Sequence, residues 1–131
     1  MSAVTATLAG RRAAERNMVD ACLIRHRTGE STDPDTGVVT PTYSTVYAGK
    51  CRVQQRALVS QGAETGQAHV FQVPYELQLP MSVTGVAVED VVTVTASVLD
   101  PELVGRLFWI RGLGGASHKT ARRLPIEEVT G

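Results

Sequence analysis

The stretch Val70-Phe-Gln-Val-Pro-Tyr-Glu-Leu-Gln-Leu79 decides the fold class. Val73, Tyr75, Leu77 and Leu79 alternate with polar residues along most of it, and this period of two places them on one face of a β-strand. The whole chain shares the bias, because 18 of its 131 residues are Val and 14 are Thr. Since β-branched side chains suit a pleated surface, a mainly β protein is expected.

Further strands are predicted on both sides of this stretch. Residues 3–18 are rich in Ala and in good helix formers, and predict one helix. Turn formers crowd residues 28–37 and predict a loop, while residues 55–69 show no apolar stripe and predict one long loop. We therefore predict a single domain over 1–131. It is a small β-barrel or sandwich of six to seven strands at 21–127, behind an N-terminal α-helix. Other strands are predicted at 21–27, 38–47, 50–54, 91–95, 106–112 and 117–127. Strand parity predicts ten core residues: Cys22, Ile24, Cys51, Val53, Val73, Leu77, Val92, Val94, Phe108 and Ile110.

Composition excludes several classes of protein. Thirteen Lys and Arg balance thirteen Asp and Glu, whereas a basic nucleic-acid-binding module usually has a clear positive excess. No run approaches the roughly 18 apolar residues of a membrane-spanning helix. The opening residues lack the cationic segment of a secretory signal, so Cys22 and Cys51 are expected to be buried, reduced thiols, although two cysteines could pair.

The zero net charge hides a segregation of charge along the chain. Residues 57–105 contain six acids and no Lys or Arg, whereas residues 106–123 contain five cations and no acid. Such segregation arises by chance on a solvated surface, or it marks a surface on which identical copies meet. The second interpretation makes these residues candidates for a subunit interface: Glu76, Glu89, Asp90, Arg111, Arg122 and Arg123.

Motifs for catalysis or for cofactors are incomplete. A phosphate-binding loop ending at Lys119-Thr120 would need glycines where Leu113 and His118 stand. The pair Asp33 and Asp35 lacks the remaining ligands of a calcium loop, and the serines lie in no nucleophile-elbow motif. The histidines and cysteines have no metal-ligand spacing. We predict no catalytic, cofactor-binding or metal-ligating residues, and no enzyme.

The order of these signals resembles the head-to-tail stopper proteins, small head–tail connectors of long-tailed phages that infect actinobacteria. The likeness runs from about Leu8 to Glu127, and no single motif carries it. At Glu89-Asp90 this chain departs from the pattern, in which Gly-Asp is the more usual pair. The matching segments are the Ala/Arg-rich helix running into Met18-Val-Asp-Ala-Cys-Leu-Ile-Arg25, Thr36-Gly37, Val46-Tyr-Ala-Gly-Lys-Cys-Arg-Val-Gln54, Glu89-Asp-Val-Val-Thr-Val-Thr95, Asp100-Pro-Glu-Leu-Val-Gly-Arg106 and Thr120-Ala-Arg-Arg-Leu124.

The resemblance implies a structural virion protein. It would form a homo-oligomeric ring at the virion neck after assembly in the bacterial host cytoplasm, seal the DNA exit channel and provide the tail docking face. Its partners would be the portal or adaptor ring, the tail terminator or tail tube proteins, and packaged double-stranded DNA, with no membrane. The alternatives are an adaptor or tail terminator ring of the same junction, or a β-barrel module that binds nucleic acid or peptide. By analogy, the 55–69 loop would reach into the lumen through Arg56, Gln61, Gly62, Glu64, Gly66 and Gln67, and the helix would contact the adjacent ring through Arg11, Arg12 and Arg16.

Overall fold

The computed structural model describes residues 2–55 and 74–129, and within them one α-helix precedes six β-strands. All pairings are antiparallel, in the order β1-β2-β3-β6-β5-β4, and β4 pairs with β1 to close a barrel. The prediction of a mainly β fold with an N-terminal helix is confirmed. The elements are α1 (Ala3–Arg16), β1 (Asp20–Thr32), β2 (Val39–Gln55), β3 (Tyr75–Leu79), β4 (Val91–Ser97), a 3₁₀ turn (Pro101–Leu103), β5 (Leu107–Ile110) and β6 (Arg122–Glu128).

The helix begins and ends at capping residues. The Ser2 hydroxyl accepts a hydrogen bond from the Thr5 amide at 3.1 Å, which satisfies one of the free donors of the first turn. Asn17 caps the other end, and β1 starts three residues later. No side chain of α1 is buried, so the helix lies against the outside of the barrel rather than in its core.

The core fills the barrel with side chains of alternating strand positions. Phe108 is fully buried and packs edge-to-face against Tyr75, with ring centroids 5.2 Å apart. Of the ten predicted core residues, Val53 is half-buried against this cluster and Val73 lies outside the described residues. The other eight are buried, and strand parity therefore predicted the inward face correctly: Cys22, Ile24, Cys51, Leu77, Val92, Val94, Phe108 and Ile110.

The two cysteines lie next to each other on β1 and β2. Asp20 pairs with Cys51 and Cys22 pairs with Gly49, so the thiols are diagonal neighbours on one face. Both are free and buried, which confirms the prediction of two reduced thiols. A hydrogen bond with the Cys22 thiol, together with burial, raises the pKa of Cys51 far above its usual range. Cys51 is therefore an inert, protonated thiol.

The long β1–β2 hairpin differs most from the sequence expectation. The strands predicted at 38–47 and 50–54 are one continuous strand, β2. The predicted loop at 28–37 is wrong over its first half, because β1 continues to Thr32. The outer part of β1 lacks the alternation of apolar and polar residues that predicts a strand. Both of its faces are exposed to solvent, so polar residues are tolerated at every position. The 55–69 loop, apart from Gln55, and the predicted strand residues 70–73 lie outside the described residues.

Candidate functional site

The end of the β1–β2 hairpin leaves the barrel as a free arm. β4 pairs with β1 only from Asp20 to Arg25, and β3 pairs with β2 only from Arg52 onward. From His26 to Thr32, β1 therefore pairs with β2 alone, over about 23 Å at roughly 3.3 Å per residue. We call residues 26–44 the arm. None of its side chains is buried, and only Tyr43 is half-buried.

The arm tip is acidic and has an ordered turn. The Asp33 carboxylate accepts a hydrogen bond from the Asp35 amide at 2.8 Å, and this bond lowers the pKa of Asp33. The Gly37 amide donates to the Asp33 carbonyl at 2.8 Å, and Gly37 adopts the positive φ of 72° that the turn requires. Residues 28–49 contain Glu30, Asp33 and Asp35 but no Lys or Arg. The tip therefore carries concentrated negative charge.

A cleft of about 730 Å³ opens at the base of the arm. β1 bulges twice here, between Ile24 and Arg25 and between Arg27 and Gly29, and bulges redirect a strand. Tyr43 and Trp109 line the cleft.

Two arginines stack on these aromatic rings. The Arg25 guanidinium lies 4.5 Å from the Tyr43 ring centroid, and that of Arg111 lies 4.8 Å from the Trp109 ring centroid. Arg111 also donates to Glu127 at 2.7 Å. The cleft is therefore an aromatic surface with cations held at defined positions.

A buried carboxylate fixes the base of the arm to the barrel. Asp90 is 1% exposed, and its two oxygens accept hydrogen bonds from the Ala87 amide at 2.8 Å and from Nδ1 of His26 at 2.6 Å. His26 is the first arm residue, so this contact orients the arm. Glu89 has a φ of 75°, in the left-handed region that favours glycine. Glycine would adopt this conformation without the strain that a side chain adds.

The opposite end of the barrel carries a basic patch, which we define as Arg12, Arg16 and Lys50. Lys50 pairs with Ala21 at the start of β1, and its ammonium group lies 2.9 Å from the Glu15 carboxylate. Arg12 and Arg16 are exposed, lie one helical turn apart and make no ion pair with the described residues. Two guanidinium groups are therefore free on one face of the helix.

Polar contacts hold α1 in place from its other side. The Arg11 guanidinium donates to the Lys119 carbonyl at 3.1 Å, and the Thr7 hydroxyl lies 3.2 Å from Nδ1 of His118. Gly10 permits this close approach, since a Cβ there would lie 2.7 Å from Cγ2 of Thr120. All three arginines of the helix were predicted to contact an adjacent ring. Arg11 instead anchors the helix to its own chain, whereas Arg12 and Arg16 face solvent.

The structure separates the residues predicted for a subunit interface. Asp90 is wrong as a surface candidate, because it is buried and bonded inside the chain. Glu127 pairs with Arg111, and Glu76 accepts a hydrogen bond from Gln78 at 3.3 Å. Arg122 is half-buried, whereas Glu89 and Arg123 are exposed. The predicted lumen residues all lie outside the described residues: Arg56, Gln61, Gly62, Glu64, Gly66 and Gln67.

Sequence reasoning missed the arm and the contacts at its base. Next to the buried Phe108 on β5, Trp109 is only half-buried. His26 and Asp90 are 64 residues apart, and no spacing links them. Within the described part of the chain, no cluster of three or more His, Cys, Asp or Glu is arranged to hold a metal ion, and no helix is long and apolar enough to cross a membrane.

Comparisons with known proteins place the chain in a family. A family model described as a family of unknown function, DUF6093, matches residues 10–127, and the chain belongs to that family. The fold is similar to the solution structure of protein SF1141 from Shigella flexneri 2a. The TM-score is 0.56, the identity is 16%, and the likeness covers 86% of this chain and 93% of that one. At this identity the likeness shows the fold alone. No curated protein matches the chain in sequence.

Proposed function

We propose that this member of DUF6093 is a structural ring subunit of the phage head–tail junction, in the role of a head-to-tail stopper. The observation that carries the proposal is the arm, which has no buried side chain within its own subunit. An isolated two-stranded hairpin is marginally stable in water. An arm about 23 Å long is consequently best explained by a surface on another molecule that covers it.

The closed barrel supports the same proposal. Closure of the barrel gives each strand a neighbour on both sides, which limits extension by strand addition to the part of β2 before Arg52, where β3 does not pair. Among the described residues, the arm, α1 and the outer faces of the strands are further surfaces on which copies could meet. A ring needs two different patches on each subunit, and the arm tip and the basic patch are two such surfaces.

Sealing of the DNA channel rests on the sequence resemblance alone. The 55–69 loop is the candidate plug, and its lumen residues lie outside the described part of the chain. Deletion of residues 61–67 tests this role directly. We expect filled heads that carry the deletion to lose DNA, and retention equal to that of wild type would exclude the loop as the plug.

The ring itself is tested with the purified full-length chain. We expect electron microscopy to show rings, either for the chain alone at high concentration or after addition of a portal complex. A matched variant replaces residues 28–42 with a two-residue turn, which removes most of the arm and keeps the barrel strands. This variant should fold and fail to form rings. Rings that form equally well without the arm would contradict the observation on which the proposal rests.

A binding module for nucleic acid or peptide is a second candidate function. The cleft favours it, because Trp109 and Tyr43 lie there beside stacked guanidinium groups that could contact a base or a phosphate. Short DNA that binds the isolated monomer with strong salt dependence, and weakens on Trp109→Ala, would favour this function over the ring. Rings without DNA binding would exclude it.

A further inference from the structure

We propose that the acidic arm tip of one copy binds the basic patch of a second copy, so that copies join head to tail. The inference rests on the proposed ring function and names the contact that builds it. It replaces the pairing of residues 57–105 with 106–123 that the sequence suggested. In the structure, Arg106 and Arg111 of that segment already face Glu128 and Glu127 of the same chain.

The two surfaces have opposite charge. The arm tip carries Asp33 and Asp35, and the structure shows no cation bonded to either. Arg27 pairs with Glu30 and so leaves the two aspartates of the turn uncompensated. In the basic patch, Arg12 and Arg16 have no ion-pair partner among residues 2–55 and 74–129. Complementary charges of this kind steer association and fix the register of an interface.

Neither surface can satisfy the other within one copy. Lys50 lies opposite Ala21, and the turn of the arm begins after Thr32, eleven residues further along β1. At roughly 3.3 Å per residue, these points are about 36 Å apart. The screening length at physiological salt is about 8 Å, so the attraction acts between copies.

Apolar surface accompanies the charges on both sides. Val38 and Val39 follow the acidic turn and are 58% and 52% exposed. Beside the basic patch, a groove of about 400 Å³ is lined by exposed Val19 and Leu99 and by Arg16 and Arg52. The acids Asp20 and Asp100 also line this groove, so the cations that attract the tip lie on its helix side. The groove fits the valines of an incoming tip, and their burial would add to the attraction between charges.

The contact joins two different patches and is therefore heterologous. Such contacts close into a ring when the rotation between successive copies completes a circle, and otherwise extend into a filament. The bulges at the base of the arm and the contact between His26 and Asp90 set the direction of the arm, and hence that rotation. The arm tip and the basic patch thus lie toward opposite ends of the β1–β2 hairpin, and each would bind the other on a neighbouring copy.

Charge reversal and rescue test the contact. Sedimentation velocity of the purified full-length chain, over a concentration series at low salt, measures self-association. We expect Asp35→Lys and Arg16→Glu each to weaken association about tenfold, since each turns an attraction into a repulsion. The double variant Asp35→Lys/Arg16→Glu should recover association close to wild type. The control Ser82→Lys/Thr95→Lys adds the same two units of positive charge at exposed positions outside both surfaces and should leave association unchanged.

The outcomes separate the contact from the function. Association that resists both single reversals, or that the double variant fails to restore, overturns the contact while the ring function stands. A wild-type chain that stays monomeric at every concentration also overturns the contact, and ring formation on a portal complex then decides the function separately. Weakening by Ser82→Lys/Thr95→Lys equal to that of Asp35→Lys would show a net-charge effect and would overturn the specific pairing.

Discussion

The barrel and the arm share the strands β1 and β2 but differ in strand pairing and in the burial of their side chains. In β1, the segment Asp20–Ile24 pairs on both sides and alternates buried with half-buried side chains. The segment from His26 to Thr32 pairs on one side only, and all of its side chains are exposed. One strand therefore serves two purposes. Its first half contributes to the stability of the fold, and its second half presents a surface, so substitutions in the two regions should separate stability from assembly.

The largest loss of stability is expected in the barrel core. Phe108→Ala removes a ring that is 0% exposed and leaves a cavity, which should lower the free energy of unfolding by about 3–5 kcal/mol. Val39→Ala on the arm should change it by less than about 0.5 kcal/mol. Urea denaturation followed by circular dichroism measures both. Equal effects of the two substitutions would show that the arm is part of the cooperative unit.

The join between barrel and arm should be the next most sensitive. Asp90→Ala leaves the half-buried Ala87 amide without its acceptor and removes a buried carboxylate that also bonds His26, so it should lower the free energy of unfolding by about 2–3 kcal/mol. His26→Ala should cost less, because the His26 side chain is 53% exposed and water can replace its contact. Urea denaturation of both variants provides the measurement. If His26→Ala lowers the free energy of unfolding more than Asp90→Ala does, the prediction that the buried carboxylate contributes most of the stability is wrong.

Two glycines on the same hairpin offer a matched comparison. At Gly49 in the barrel, an added Cβ would lie 2.7 Å from the Tyr47 hydroxyl and 2.9 Å from Cζ, so Gly49→Ala must displace the Tyr47 ring. We expect a loss of about 1–2 kcal/mol in the free energy of unfolding. At Gly29 in the arm the nearest atom would be 3.7 Å away, and Gly29→Ala should be tolerated. Thermal unfolding midpoints of the two variants test this difference, and a similar drop in both would contradict it.

The smallest expected effect appears only at alkaline pH. Burial, with further contributions from the nearby thiols and Glu15, raises the pKa of Tyr47 from 10.0 to about 12, and its hydroxyl donates to the Lys50 carbonyl at 2.7 Å. Between these pH values the unfolded chain releases this proton before the folded chain does. The free energy of unfolding should therefore fall as pH rises through this window. Tyr47→Phe lacks the proton, so its stability should fall less steeply than that of wild type. Parallel slopes would show that Tyr47 does not cause the loss.

The fold was predictable wherever a strand has one buried face. Cys22 and Ile24, or Val92 and Val94, alternate with outward residues, and this pattern follows from the geometry of a strand. The arm was not predictable in this way, because Thr28, Ser31 and Thr32 have solvent on both sides and no face to hide. Its turn residues were recognised and its second strand was predicted at 38–47, but residues 28–32 of β1 were interpreted as loop.

The two candidate binding surfaces, the arm tip and the basic patch, could be recognised only from the three-dimensional structure. The sequence showed that charge is segregated, and the structure shows which charges are paired within the chain. Arg111 meets Glu127 because β5 and β6 are neighbours in the sheet, and Asp90 is buried with hydrogen bonds to the Ala87 amide and to His26. The register of neighbouring strands determines which charged side chains lie close enough to form an ion pair within the chain.

Local patterns therefore determined the class of this protein: β-branched residues, a period of two, a helix-forming segment at the start and thiols on inward positions. These features depend on each residue and its near neighbours along the chain, so the amino-acid sequence alone is enough to predict them. The tertiary structure alone decided that one hairpin outgrows the barrel, and that its acidic turn begins about 36 Å along β1 from Ala21, the residue opposite Lys50 of the basic patch. That separation depends on the closure of the barrel and on the register of β1 against β2 and β4, which residues distant in sequence set together.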